Sequence, residues 1–188
     1  MSTPPGARRR ADATRNRHLA LDAATALLAE PGATLTVEAI ARKAGLGAAT
    51  VVRAFGGKDA LLDAAVSGLL EPVVRRARDL LAETGPTRAL RVFLRELIAF
   101  QAAHHALNDQ LDGLELPATT AKRADLVAAV RDMVDGARRE GSVRTDLDPD
   151  LITTLIGHTA FAVARAQALP ELADAYLTVL LTGLRPPD

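Results

Sequence analysis

The stretch that most constrains the fold is residues 36–59, which read TVEAIARKAGLGAATVVRAFGGKD. Its spacing predicts two short helices joined by a tight turn. Thr36 can cap the first helix, because its side chain can accept a hydrogen bond from an unpaired backbone N–H at the helix start. Gly45 can end that helix in a left-handed conformation, without the steric cost of a Cβ atom. A second helix then starts at Gly47 or Ala48, so the segment is predicted to be a helix-turn-helix.

The apolar residues of this segment fall where a helix-turn-helix buries side chains at the crossing of its helices. They are Ile40, Ala44, Leu46, Val51 and Ala54, with the small Ala41 where the crossing is tightest. The same pattern also fits an ordinary two-helix corner of an all-α protein. The outward face of the second helix favours DNA, because its short side chains could enter a major groove. There Thr50 could hydrogen-bond base edges, and the Ala48–Ala49 surface could touch thymine methyl groups.

The residues around this motif carry a family resemblance. A threonine, an Ile-Ala pair, an Ala-Gly pair and a Phe-x-x-Lys-x-x-Leu ending occur at Thr36, Ile40-Ala41, Ala44-Gly45, Phe55, Lys58 and Leu61. This order resembles the N-terminal signature of the TetR family of bacterial transcriptional regulators. The resemblance implies an all-α fold, with an N-terminal three-helix DNA-binding domain and a C-terminal helical ligand-binding and dimerisation domain. It also implies a ligand-responsive repressor that binds a palindromic double-stranded DNA operator as a homodimer.

Two positions depart from the family pattern. Gly47 stands where the family usually has Ser or Thr at the start of the recognition helix, and Gly is an acceptable cap. Val52 stands where the family usually has a Tyr that bonds a DNA phosphate. One backbone anchor is therefore missing, which leaves open a regulator-like sensor or interaction protein that has lost operator binding.

The candidate DNA contacts lie on the predicted recognition helix, at the helix ends around it and in the basic N-terminus. They are Arg8, Arg9, Arg10, Arg15, Thr36, Gly47, Ala48, Ala49, Thr50, Arg53 and Lys58. Arg17 could also face DNA. By resemblance, Lys58 contacts a phosphate at the start of the next helix, where backbone amides favour anions. Thr36 and Arg53 would hold phosphates as well.

The distribution of charge agrees with this placement, although the formal net charge of the chain is zero. Residues 1–60 hold nine Lys/Arg against five Asp/Glu, and the remainder holds 14 against 18. Such an asymmetry indicates a basic module followed by an acidic body. The chain contains no cysteine, which excludes disulfides and thiolate chemistry.

Three segments are expected. Residues 1–14 are predicted to be a disordered basic arm, residues 15–57 the DNA-binding domain, and residues 58–188 the ligand-binding and dimerisation domain. A long helix is predicted over about 58–83, with a kink at Pro72. The body reads as helices throughout, because no alternating strand pattern occurs in it.

The last two helices of the body are predicted after Asp148-Pro149 and over about 171–184. Both are apolar on more than one face, and small residues such as Gly157 and Ala160 permit close approach. By resemblance they form the dimer interface. The alternative is that both are buried within one monomer.

A ligand cavity in the body could be lined by aromatic, apolar and polar side chains. The candidates are Phe93, Phe100, Gln101, His104, Met133, Thr159, Phe161 and Tyr176, each of which could equally belong to the core. We expect no metal and no cofactor, since the adjacent His104 and His105 point in different directions on a helix. A small all-α enzyme is the remaining alternative, although no convergent acid, base or nucleophile is visible. No apolar run approaches the ~20 residues that span a bilayer, so a cytoplasmic protein without a membrane segment is expected.

Overall fold

The computed structural model describes residues 5–28, 30, 35–104, 111, 114–166 and 170–187. In this part of the chain all regular structure is helical, which confirms the all-α prediction. The helices are α1 Pro5–Leu28, α2 Val37–Ala44, α3 Ala48–Phe55, α4 Lys58–Thr84, α5 Pro86–Ala103, α6 Pro117–Arg139, α7 Pro149–Arg165 and α8 Pro170–Gly183. None of these helices is long and apolar enough to cross a membrane.

The N-terminus differs from the expectation of a disordered arm over residues 1–14. Helix α1 begins at Pro5, so residues 5–14 are helical; residues 1–4 lie outside the described residues. The sequence permits this because proline is favoured in the first turn of a helix, and alanine and arginine are among the strongest helix formers. The basic residues of this segment therefore extend the first helix rather than forming a separate arm.

The chain forms two compact units. The first comprises residues 1–70 and 106–120, and the second comprises residues 71–105 and 121–188. The division between the units falls inside α4, whereas the domain boundary expected from the sequence lies after residue 57 and stays a prediction. The division falls there because the first turns of α4 bury apolar side chains such as Leu61, which is fully buried. Helix α4 continues through Pro72; the kink there stays a prediction.

A buried carboxylate ties α4 to the start of α6 within the first unit. Asp63 Oδ2 accepts a hydrogen bond from the backbone N–H of Ala118 at 2.9 Å, and Oδ1 accepts one from Thr119 N–H at 2.7 Å. Asp63 and Thr119 are both buried. Burial raises the pKa of the Asp63 carboxyl, but the hydrogen bonds lower it more, so that its pKa lies below the ordinary value. The carboxylate satisfies N–H groups at a helix start that would otherwise lack partners.

The second unit is organised around an apolar core that α4, α5, α6, α7 and α8 all supply. Its fully buried members include Phe93, Leu94, Met133, Val134 and Ile156. Helix α7 starts as the sequence predicts, since Asp148 Oδ1 accepts hydrogen bonds from the N–H groups of Asp150 and Leu151. Helices α5 and α6 approach closely at Gly136, where a Cβ atom would lie 2.4 Å from Pro86 Cγ.

The contact between Asp63 and α6 predicts a pH-dependent loss of stability in Asp63→Asn. Hydrogen bonds to a charged group contribute about 1.5–3 kcal/mol each, and the amide cannot accept both, so we expect a loss of about 2 kcal/mol at neutral pH. Because the folded-state pKa is lowered, the wild-type advantage is present above the unfolded-state pKa of about 3.9 and is lost as pH falls through the folded-state pKa.

Urea unfolding followed by circular dichroism, at neutral pH and at successively lower pH, checks this expectation. Asp22→Asn is the matched control, because Asp22 is exposed and lies in the same unit. Equal unfolding midpoints for Asp63→Asn and wild type at neutral pH would contradict the assignment.

Candidate nucleic-acid interface

The turn between α2 and α3 has the geometry that the sequence predicts. The Thr36 side chain accepts a hydrogen bond from Ala39 N–H at 3.1 Å and caps α2. Gly45 ends α2 with φ 66° and ψ 30°, in the left-handed region. The next N–H, that of Leu46, donates to the Ala41 carbonyl at 2.9 Å, as in a Schellman motif. Three residues, 45–47, therefore connect the two helices.

Helix α3 is short and held at both ends by glycine. The Gly47 carbonyl accepts hydrogen bonds from the N–H groups of Thr50 and Val51, and Gly56 ends the helix with φ 84°. Val51 is fully buried and Phe55 is 8% exposed. The inward side of α3 is thus fixed by a β-branched residue and an aromatic residue, one turn apart.

The outward side of α3 carries the predicted base-reading surface. Ala49 and Arg53 are exposed, while Ala48, Thr50 and Val52 are half-buried. These side chains are short except for Arg53, so the backbone of α3 could approach a DNA groove closely. Their contact with DNA stays a prediction.

The other predicted DNA contacts lie before and after α3 in the sequence, and their side chains differ in exposure. Lys58 is the first residue of α4 and is exposed, as is Arg15 on α1. Thr36 is half-buried and its oxygen is engaged in the cap. The side chains of Arg8, Arg9 and Arg10 lie outside the described residues.

Arg17 does not fit the expectation that it simply faces DNA. Its Nη1 donates to the Ala54 carbonyl at 2.9 Å, and its Cζ lies 4.1 Å from the centre of the Phe55 ring. Sequence reasoning missed this role, because the partners are 37 residues apart and no local pattern joins them.

The predicted ligand-lining residues occupy three different environments. Phe93 and Met133 are fully buried in the core of the second unit, against which Tyr176 packs half-buried. The Phe100 and His104 rings lie 4.5 Å apart, and His104 Nδ1 is 2.8 Å from the Phe100 carbonyl. The structure thus places some candidates in the core and brings Phe100 and His104 together as a pair.

Two of these candidates lie towards the outside. Phe161 is 37% exposed and Thr159 is exposed; their contact with a ligand stays a prediction. The Thr159 hydroxyl donates to the Leu155 carbonyl at 2.6 Å and lies 2.6 Å from the Tyr176 hydroxyl. Burial raises the pKa of Tyr176, and the contact with Thr159 lowers it by less. The side chain of Gln101 differs from these, because its Oε1 is buried without a hydrogen-bond partner.

Among the described residues, no group of three or more His, Asp or Glu side chains is placed to hold a metal ion. His105, Asp109 and Asp112, which the sequence places near His104, lie outside that part of the chain.

Two short helices joined through a left-handed glycine, with a small-residue face outward on the second, have the geometry of a helix-turn-helix motif. Residues 20–65 match the family model described as bacterial regulatory proteins of the tetR family, and residues 85–186 match the C-terminal domain of SbtR-like transcriptional regulators. The chain therefore belongs to the TetR family and is a DNA-binding transcriptional regulator. Regulators of this family are generally not enzymes.

Similar proteins support this membership over nearly the whole chain. A TetR regulatory protein from Mycobacterium vanbaalenii is 35% identical, with 94% of this chain and 98% of that chain covered and a TM-score of 0.64. The transcriptional repressor KstR2 of Rhodococcus jostii is 26% identical, with 98% of each chain covered. FadR from Bacillus subtilis, solved in complex with stearoyl-CoA, is 20% identical with a TM-score of 0.71, over 89% of this chain and 99% of that one. This last likeness shows the fold alone.

The turn predicts opposite results for two neighbouring glycines. Gly45→Ala places a Cβ atom in a left-handed conformation, which costs about 1 kcal/mol, although nothing lies within 4 Å of that atom. Gly47→Ser should leave stability unchanged or raise it by a few tenths of a kcal/mol, because Ser is a better cap than Gly. Its Cβ would lie 3.8 Å from Thr50 Oγ1, an ordinary contact.

Thermal unfolding midpoints of the two variants, each compared with wild type, test this pair. A midpoint for Gly45→Ala equal to that of Gly47→Ser would contradict the left-handed turn.

Proposed function

We propose that this protein is a ligand-responsive repressor that binds a palindromic operator as a homodimer in the cytoplasm, where its DNA target lies. The observation that carries the proposal is the outward face of α3, with exposed Ala49 and Arg53 beside half-buried Thr50. A helix with this face can enter a major groove, because its side chains, apart from that of Arg53, are too short to hold the backbone away. The relative KstR2 is itself a transcriptional repressor.

Base reading and phosphate binding are divided between two groups of residues. Thr50, with Ala48 and Ala49, would read base edges and thymine methyl groups. Arg53 and Lys58 would bind phosphates on either side, and the exposed Arg15 would add a further cation. The unpaired N–H groups at the start of α4 would strengthen the phosphate contact of Lys58.

Arg53→Ala tests the DNA-binding face. Because the proposed homodimer carries two copies of Arg53, loss of their two phosphate contacts should weaken operator binding about tenfold at moderate salt and reduce the slope of log K against log salt by about 1.8. The operator is obtained first by selecting bound duplexes from random DNA, and affinities are then measured by fluorescence anisotropy over a range of salt concentrations.

The control for Arg53→Ala should replace an arginine outside both the DNA-binding face and the dimer interface. Arg165 does not qualify, because it lies on α7, which is predicted to form part of the dimer interface. Arg88→Ala on α5 is suitable, because Arg88 is exposed and lies in the other unit. An unchanged affinity and slope for Arg53→Ala would contradict the assignment, and a selection that enriches no palindrome would contradict operator binding itself.

The proposed dimer interface rests on exposed apolar side chains of the last two helices. On α7 these are Leu151, Leu155 and Phe161, and on α8 they are Leu172 and Val179, which is 74% exposed. Leu151 and Leu155 are one helical turn apart and each is about half exposed. The exposed Gly157 between them and Phe161 would allow close helix approach. An apolar surface of this kind is typical of an interaction site. In a two-fold dimer, the two DNA-binding domains would read two half-sites.

Leu155→Glu tests this interface. Because a charge would be buried without a partner at each copy of the position, association should weaken at least about a hundredfold. Val127→Glu is the matched control: Val127 is 57% exposed, against 49% for Leu155, but it lies on α6. Sedimentation velocity should show a monomer for Leu155→Glu and a dimer for wild type and Val127→Glu. A monomeric wild type, or dimers for all three proteins, would contradict the interface.

Ligand response would be a shift in population between two conformations. A ligand that binds the non-DNA-binding conformation more tightly releases the operator, and its differential affinity sets the size of the shift. The body, with its apolar core and the unpartnered Gln101 Oε1, is the proposed place of binding. That the FadR structure holds stearoyl-CoA supports a fold able to accept a small molecule.

A further inference from the structure

One guanidinium makes two contacts with the last turn of α3. Arg17 lies on α1, and its Nη1 donates to the Ala54 carbonyl at 2.9 Å. The same group lies over the ring of Phe55, with 4.1 Å between Cζ and the ring centre. All three residues belong to the first unit. We propose that Arg17 is a positioning residue, which orients the recognition helix for base reading rather than neutralising a DNA phosphate.

The hydrogen bond acts at a point where the helix needs a partner. The last four carbonyls of a helix have no intrahelical donor, and a cation near them also interacts favourably with the helix dipole. Helix α3 ends at Phe55, where the Gly56 N–H donates to the Val52 carbonyl. The Ala54 carbonyl lies in this last turn and receives its donor from Arg17.

The ring contact fixes the direction of the same helix end. Phe55 is buried, so its ring is held by the interior of the unit and offers a fixed surface to the guanidinium. A planar guanidinium over an aromatic ring is attracted by the electron density of the ring face. Arg17 thereby links α1 both to the backbone and to a buried side chain of α3.

The length of α3 explains why its orientation needs such a contact. An isolated helix of eight residues is marginal in water, so its place depends on tertiary packing. Hydrogen bonding to base edges depends strongly on the orientation of α3, whereas electrostatic attraction to phosphates depends on it much less. A defect in positioning should therefore lower the preference for the operator over other DNA.

Arg15 provides the contrast on the same helix. It lies two residues before Arg17, so the two side chains do not share a face. Arg15 is exposed and is one of the proposed phosphate contacts. Removing it should change affinity for all DNA, while removing Arg17 should change affinity for the operator.

The experiment compares Arg17→Ala, Arg17→Lys and Arg15→Ala with wild type in full-length protein. Affinity is measured by fluorescence anisotropy for the selected operator and for a scrambled duplex of equal length, over a range of salt concentrations. All measurements are made at a temperature where circular dichroism shows each variant to be folded. For Arg17→Ala we expect operator affinity to fall about five- to tenfold, with scrambled-DNA affinity and the salt slope unchanged.

Lysine keeps the charge but has no planar group to stack on Phe55, so Arg17→Lys should recover only part of the lost operator preference. Arg15→Ala should lower both affinities together and reduce the salt slope by about 1.8, because the proposed dimer loses one phosphate contact in each subunit. Equal losses for both duplexes in Arg17→Ala, a reduced slope, or full recovery by lysine would overturn the proposal and make Arg17 a phosphate contact.

A measurement without DNA separates this proposal from the proposed function on which it rests. Hydrogen exchange of the free protein should be faster in α3 of Arg17→Ala than in wild type, with α2 unchanged, because only α3 loses a contact. Unchanged exchange in α3 overturns the positioning role even where operator binding is real. A wild type that prefers no DNA sequence overturns the function instead.

Discussion

Neither helix of the DNA-binding motif is long enough to be stable alone, so everything that the protein does with DNA depends on how they pack. The contact between the inward sides of α2 and α3 supplies that stability: Ile40 and Val51 are both fully buried. Gly45 makes the contact possible, since its left-handed backbone lets a connection of three residues join α2 to α3. Once this crossing is fixed, the outward face of α3 follows from helix geometry, because buried and exposed positions alternate with the helical period.

Both units bury apolar side chains, but the first adds polar contacts from distant residues at helix ends: Asp63 at the start of α6 and Arg17 at the end of α3. In the second, an apolar core joins five helices, and the ion pairs on its surface, such as Arg76 with Glu96, are exposed and contribute little. This difference matters for the proposed ligand response, because the strength of a hydrogen bond at a helix end depends on distance and angle more strongly than apolar packing does.

In the proposed dimer, the exposed apolar residues of α7 and α8 would affect DNA binding through the two-fold symmetry that they create. A single recognition helix buries little surface on DNA, whereas two copies related by a two-fold axis bind two half-sites at a fixed spacing. The side chains of Leu155 and Val179 would therefore influence operator affinity without touching DNA. In the proposed mechanism, a ligand that alters the body would change the same spacing.

Local chemistry determined a large part of this protein from the sequence alone. Helix caps join residues that are close in the sequence. The caps at Thr36, Gly45 and Asp148, and the helix ends that they form, could therefore be predicted. The all-α fold and the family followed from the same short-range patterns. Only the tertiary structure decided the roles of Arg17 and Asp63, whose partners lie 37 and 55 or more residues away, and the exposure of Phe161. Helical periodicity shows that a helix has an apolar face. It cannot show which neighbouring element covers that face, because that depends on how distant segments pack.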